Sequence, residues 1–182
     1  MEIDVPVSVL LATSIIVVFG LYITTMIKSV PCGKGVTDIF ISNFIHTDPY
    51  HLISNLYALY ALSRVEQKIG SKKFVYLVVF LLIFNTSLES IVHMAIPSIP
   101  CGIGFSGVLF GVTTWELVTT KTLDWWLVFS ILGTVIIPSM KNSNISFTGH
   151  AVGAITGIIG GLVWKILYQY NKDIDTIPKF DL

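Results

Sequence analysis

The feature that most constrains this chain is a run from Pro6 to Ile27 with no charged residue before Lys28. A bilayer-spanning helix needs roughly 20 such residues, so this run reads as a complete first span. Glu2 and Asp4 stand where a secretory leader carries basic residues, and no small-residue cleavage site follows, which favours an uncleaved helix. Further apolar stretches follow. With 53% hydrophobic and 12% charged residues, the chain has about half the charged fraction of an ordinary soluble domain. Composition therefore places all 182 residues in one multi-pass, all-α membrane bundle without a second domain. Eleven Lys and Arg balance 11 Asp and Glu, so no global charge steers the chain toward nucleic acid. Cys32 and Cys101 are its two cysteines, too few for a disulfide framework or a zinc-type cluster.

Taken in order, the expected spans are 6–27, 49–66, 74–95, 106–120, 125–140 and 149–170. Between the first two lies a loop with Pro31, Gly33, Gly35 and Asp38, with room for a short interfacial helix over 37–45. Asp48-Pro49 reads as a cap followed by proline in the first helical turn. Six spans put both termini on one side. Arg64, Lys68, Lys72 and Lys73 fall on that side, as do Lys121, Lys165, Lys172 and Lys179, whereas Lys28, Lys34 and Lys141 lie opposite. The positive-inside rule then places both termini in the cytosol. Cys32 and Cys101 both fall in non-cytosolic loops, where an oxidising compartment would let them pair.

Ser106 opens the fourth span between Gly104 and Gly107. From Ser106 to Lys121 a helix rises roughly 22 Å, less than the hydrocarbon thickness of about 30 Å. With Lys121 at one surface, Ser106 and the irregular segment before it lie below the other. Such backbone is tolerated only where protein or water surrounds it. A helix N-terminus there favours developing negative charge, although a small residue serving helix packing would explain Ser106 as well.

His150 opens the sixth span, and an ionisable residue in a span is a functional candidate by default; a histidine satisfied by water at a helix end is the plainer reading. Gly153 and Gly157 repeat below His150 as Gly107 and Gly111 do below Ser106. Such small-residue faces let two helix backbones approach closely. Packing them together brings the hydroxyl toward the imidazole, and a serine becomes a nucleophile when a base lies within hydrogen-bond reach. Phe110, one turn below Ser106, is placed to stack on that ring.

His51 and Asn55 share one face of the second span, where an asparagine amide serves either as an oxyanion donor or as interhelical glue. His46 reads as a structural loop residue. Glu89 and His93 are spaced to pair across a turn, and with Glu116 they read as buried polar pairs, water-facing residues or a proton path. Glu66, near the basic cluster, reads as a structural salt bridge.

Together these stretches resemble the rhomboid family of intramembrane serine proteases. The matching pieces are His51-x-x-x-Asn55, Gly104-x-Ser106-Gly107 and Gly149-His150-x-x-Gly153-x-x-x-Gly157, in the family's order, with Glu66-x-x-x-Gly70 closing the second span. The resemblance covers about 39–161 and implies a six-helix rhomboid-like bundle. It implies Ser106 as nucleophile and His150 as general base and acid. Asn55, His51 and the Ser106 N–H would form the oxyanion hole. The implied substrates are single-pass transmembrane proteins cut in or near the lipid bilayer, with no metal or cofactor. The first loop lacks the Trp-Arg pair of many members, and Ile103 stands where a glycine often precedes the serine motif. Two other classes of function stay open: a catalytically silent relative that binds membrane helices for quality control, and a proton-coupled carrier using Glu89, His93 and Glu116. A carrier would be expected to show matching halves, and the sequence has none.

Overall fold

The computed structural model describes residues 6–28, 35–100, 102–120, 125, 129 and 147–175, with side chains through residue 167. Among them six helices form: α1 (Val7–Ile23), α2 (Val36–Ser42), α3 (Pro49–Ile69), α4 (Ser71–Ala95), α5 (Ser106–Thr119) and α6 (Phe147–Asp175). There is no strand among the described residues. Five of these helices fall where spans are expected, and α2 is the short helix of the first loop. The span expected over 125–140 lies outside the described residues apart from Trp125 and Phe129. The Cys32–Cys101 pairing lies outside them as well.

Each boundary has a local cause. The first turn of α1 has N–H groups without intrahelical acceptors, and its cap residue Pro6 offers no side-chain bond. Glu66 supplies the acceptors: its carboxylate takes the N–H of Val7 at 2.6 Å and of Ser8 at 2.9 Å, and the Ser71 hydroxyl at 2.7 Å. This corrects the expectation of a salt bridge to the basic cluster, because the orphan amides compete for the same oxygens. It also seats the start of α1 beside the junction of α3 and α4. α1 ends at Ile23, short of the expected Ile27, where the Thr24 hydroxyl bonds the Gly20 carbonyl and Thr25 turns to φ 61°. Asp48 caps α3 as expected, accepting from the Tyr50 N–H at 2.8 Å. α3 runs on to Ile69, and Gly70 at φ 84° turns the chain directly into α4.

α4 and the stretch Phe147–Leu167 of α6 are each long and apolar enough to cross a membrane, and α1 is apolar with 17 residues. α5 is shorter, with 14 residues. The core holds Ile15, Val65, Phe74, Leu81, Phe105, Val108 and Val112, each essentially inaccessible to solvent. Lipid tails are as apolar as leucine, so close packing and hydrogen bonds hold such helices together.

That packing is tightest between α5 and α6, which run parallel. A Cβ at Gly153 would strike the backbone of Gly107, and one at Gly157 would strike Gly111 and Thr114. The expected small-residue faces are therefore in contact, pairing Gly107 with Gly153 and Gly111 with Gly157. The Thr114 hydroxyl crosses the seam to the Ala154 carbonyl at 2.9 Å, which fixes the register. Farther along, Trp115 meets Trp164 edge to face at 5.3 Å. The result gathers the N-terminal ends of α3, α5 and α6 and the C-terminal end of α4 at one end of the bundle.

Candidate active site

Gly104 begins the site. Its φ of 93° lies in the region that favours glycine, and a Cβ there would fall 2.5 Å from the His51 ring. Its N–H bonds the Ser42 carbonyl at 2.9 Å, which pins the segment before α5 against α2. Phe105 then turns into the bundle, 1% exposed, and Ser106 becomes the first residue of α5. The leading N–H groups of that helix, including that of Ser106, have no carbonyl four residues back within it.

Two helix starts then meet. Because Gly107 and Gly153 are in contact, Ser106 and His150 stand side by side, with His150 Nε2 2.9 Å from Ser106 Oγ. With its proton on Nδ1, the imidazole accepts from the hydroxyl at ordinary hydrogen-bond length. His150 is 6% exposed, and its Nδ1 makes no hydrogen bond among the described residues. Among the described residues no carboxylate orients the ring. Phe110 lies against it instead, centroids 4.5 Å apart and planes at 32°, so the contact is tilted rather than flat.

Of the two α3 residues, His51 is among those lining the cavity that holds this pair, and Asn55 is not. His51 reaches the cavity wall and approaches the His46 ring at 5.0 Å. Asn55 is 3% exposed, and its amide nitrogen donates to the His51 carbonyl at 2.8 Å. That nitrogen carries a second N–H. His46 is fully buried; neither ring nitrogen makes a hydrogen bond of good geometry with a described residue, although the Phe44 backbone and the Asn55 side chain approach the ring and partly favour its charged form. Burial, then the neighbouring His51, pushes its pKa down to about 4, so it is neutral near pH 7 and serves packing, as expected of a loop residue.

A cavity of about 350 Å³ opens beside Ser106 and His150. Sequence reasoning missed part of its wall. Asn43, Asn85 and Glu89 line it together with Gly107 and Gly149. Asn85 fills the space that a Cβ on Gly107 would need, with Nδ2 2.9 Å away, and donates weakly to Asn43 Oδ1 at 3.4 Å. The available signal was the spacing of Asn85, Glu89 and His93, which puts all three on one face of α4. Glu89 and His93 lie 3.8 Å apart. Glu116 sits elsewhere, near the other end of α5, in an ion pair with Arg64 at 3.2 Å. Ten residues of helix, about 15 Å, separate it from Ser106, so among the described residues these acids form no continuous relay. No group of histidine, cysteine or acidic residues suited to a metal ion occurs among the described residues.

Residues 33–166 match the family model described as Rhomboid domain. The chain is also 34% identical over 143 residues to a protein of Acanthamoeba polyphaga mimivirus named "Putative rhomboid protein", an alignment spanning 77% of this chain and 80% of the viral one.

Proposed function

The chain belongs to the rhomboid family of integral membrane proteins, and on that premise we propose that it is an intramembrane serine endopeptidase with a Ser106–His150 dyad in a six-span bundle. The observation that carries the reading is the 2.9 Å contact between Ser106 Oγ and His150 Nε2 at the wall of the cavity. Ser106 Oγ attacks the scissile carbonyl carbon while His150 Nε2 takes its proton. The carbonyl oxygen becomes an oxyanion beside the leading N–H of α5, with the second Asn55 N–H and His51 as further donors. Collapse of this intermediate breaks the C–N bond, and His150 returns the proton to the leaving amine. A water molecule, deprotonated by the same imidazole, then releases the acyl group from Ser106.

This chemistry uses no metal or cofactor. The substrates would be single-pass transmembrane proteins, entering the cavity from the bilayer. The test is purified protein with a generic transmembrane substrate. Cleavage by the parent, abolished in Ser106→Ala and His150→Ala, supports the reading, because removing either partner of such a pair removes nearly all catalysis. Cleavage that persists in Ser106→Ala refutes it.

A further inference from the structure

Two buried polar side chains, His46 and Asn55, stand side by side behind the cavity wall, each with an unmet hydrogen-bonding group. Neither His46 ring nitrogen, nor Asn55 Oδ1, has a hydrogen-bond partner among the described residues. His46 is fully buried and Asn55 is 3% exposed, and a buried polar atom without a partner is costly. The Asn55 side chain approaches the His46 ring, so each stands beside what the other lacks. Burial keeps His46 neutral near pH 7, and a neutral imidazole carries one donor nitrogen and one acceptor, whereas an amide oxygen only accepts. The surroundings wedge the ring in place. The His51 ring lies 5.0 Å away, and a Cβ on Gly104 would fall 3.3 Å from His46 Nε2. His46 therefore sits between the helix that carries His51 and Asn55 and the segment that leads into Ser106.

We propose that His46 is a positioning residue: its ring N–H donates to Asn55 Oδ1 and aims the Asn55 amide at the oxyanion. The inference rests on the endopeptidase reading above. Asn55 Nδ2 uses one N–H on the His51 carbonyl at 2.8 Å. That single bond leaves the amide plane free to swing, because the terminal torsion of asparagine is broad. A second bond, from His46 to Oδ1, holds the opposite edge of the amide and fixes the direction of the remaining N–H. Asn55 is not among the residues lining the cavity, so that direction decides whether the N–H reaches an oxyanion forming at Ser106. Hydrogen bonds of this kind tighten when substrate fills the site.

The experiment measures kcat and KM of the purified full chain in proteoliposomes on a transmembrane substrate, with the folded fraction of each preparation. His46→Phe keeps a ring and loses the donor, whereas His46→Gln keeps a donor. His46→Phe should lower kcat about 10- to 100-fold with KM within about threefold, because the oxyanion develops only in the transition state. His46→Gln should recover most of that loss. In an Asn55→Ala background, where the partner is gone, His46→Phe should change kcat by no more than about threefold. Three results overturn the assignment: the same loss in both backgrounds, His46→Gln as slow as His46→Phe, or folded His46→Phe with kcat within about threefold of the parent. A measurement on the parent needs no variant to fold. With a phosphonate bound to Ser106, the His46 ring N–H should resist solvent exchange and show a nuclear Overhauser contact to the Asn55 amide. A freely exchanging N–H without that contact overturns the assignment as well. A parent that cleaves but fails these tests sinks the positioning role alone. A folded parent that neither cleaves nor takes up the phosphonate sinks the endopeptidase reading and the positioning role with it.

Discussion

Replacing Gly153 by alanine tests whether backbone contact between α5 and α6 sets the geometry of the dyad. The new Cβ would lie 2.7 Å from the Gly107 carbonyl carbon and 2.9 Å from its Cα, against an ordinary contact of 3.4–4 Å. The obstacle is backbone, so rotamer changes cannot relieve it. The Gly107 carbonyl oxygen lies nearer still, so α6 must withdraw by at least about 0.7–1.3 Å, the difference between 3.4–4 Å and the 2.7 Å to the carbon. His150 lies three residues before Gly153 on the same rigid helix, so the 2.9 Å contact to Ser106 lengthens beyond hydrogen-bond reach. A displacement near 1 Å costs about 100-fold in rate, whereas overpacking of this kind costs about 1–3 kcal/mol in stability. The assay is kcat/KM on a transmembrane substrate, with the folded fraction measured on the same preparation. Gly160→Ala is one control: its Cβ meets a side-chain atom of Phe80, which can move. Gly20→Ala is another, with nothing within 4 Å. Gly153→Ala turnover within about threefold of the parent would show that this seam does not hold the two side chains in register.

Glu66→Ala should loosen α1 by leaving the N–H groups of Val7 and Ser8 without their acceptor. The loss is about 3 kcal/mol, read as a thermal midpoint lower by roughly 5–10 °C, and Glu66→Gln should retain part of it. His46 holds a pKa near 4 when folded, against an ordinary 6.5. Below pH 6.5 the unfolded chain binds the proton first, so stability present at pH 7 is lost as the pH falls toward 4, by about 3 kcal/mol. His46→Gln should show a shallower decline in its unfolding midpoint between pH 7 and pH 5. A reporter fused after Leu182 should read cytosolic and one inserted near Gly35 the opposite side, on the asymmetry of Lys and Arg; reversed signals contradict the proposed orientation.

Helix positions and the pairing of the glycine faces were legible because both are periodic. Gly107/Gly111 and Gly153/Gly157 repeat every four residues, and two narrow faces that each lie below a polar residue have one sensible way to meet. Asp48-Pro49 was legible as a local cap. Partners set by distant sequence were not. Glu66 stands among basic residues, and nothing near it announces that its carboxylate receives the first amides of α1, 58 and 59 residues away. The polar face of α4 was visible in Asn85, Glu89 and His93, but periodicity does not say which neighbour a face meets. The packing of Asn85 against Gly107 turned that face toward the cavity. The tilt of Phe110 against His150 follows from side-chain packing, which spacing alone does not specify.

The central claim is that Ser106 is activated by His150, and covalent labelling of Ser106 by a fluorophosphonate measures this most directly. The parent should carry a single adduct, on Ser106. Labelling should be much slower in His150→Ala, which lacks the base 2.9 Å from the hydroxyl, and absent in Ser106→Ala. Labelling of folded His150→Ala at the parent rate, or a folded parent that takes up no probe at Ser106, would contradict it.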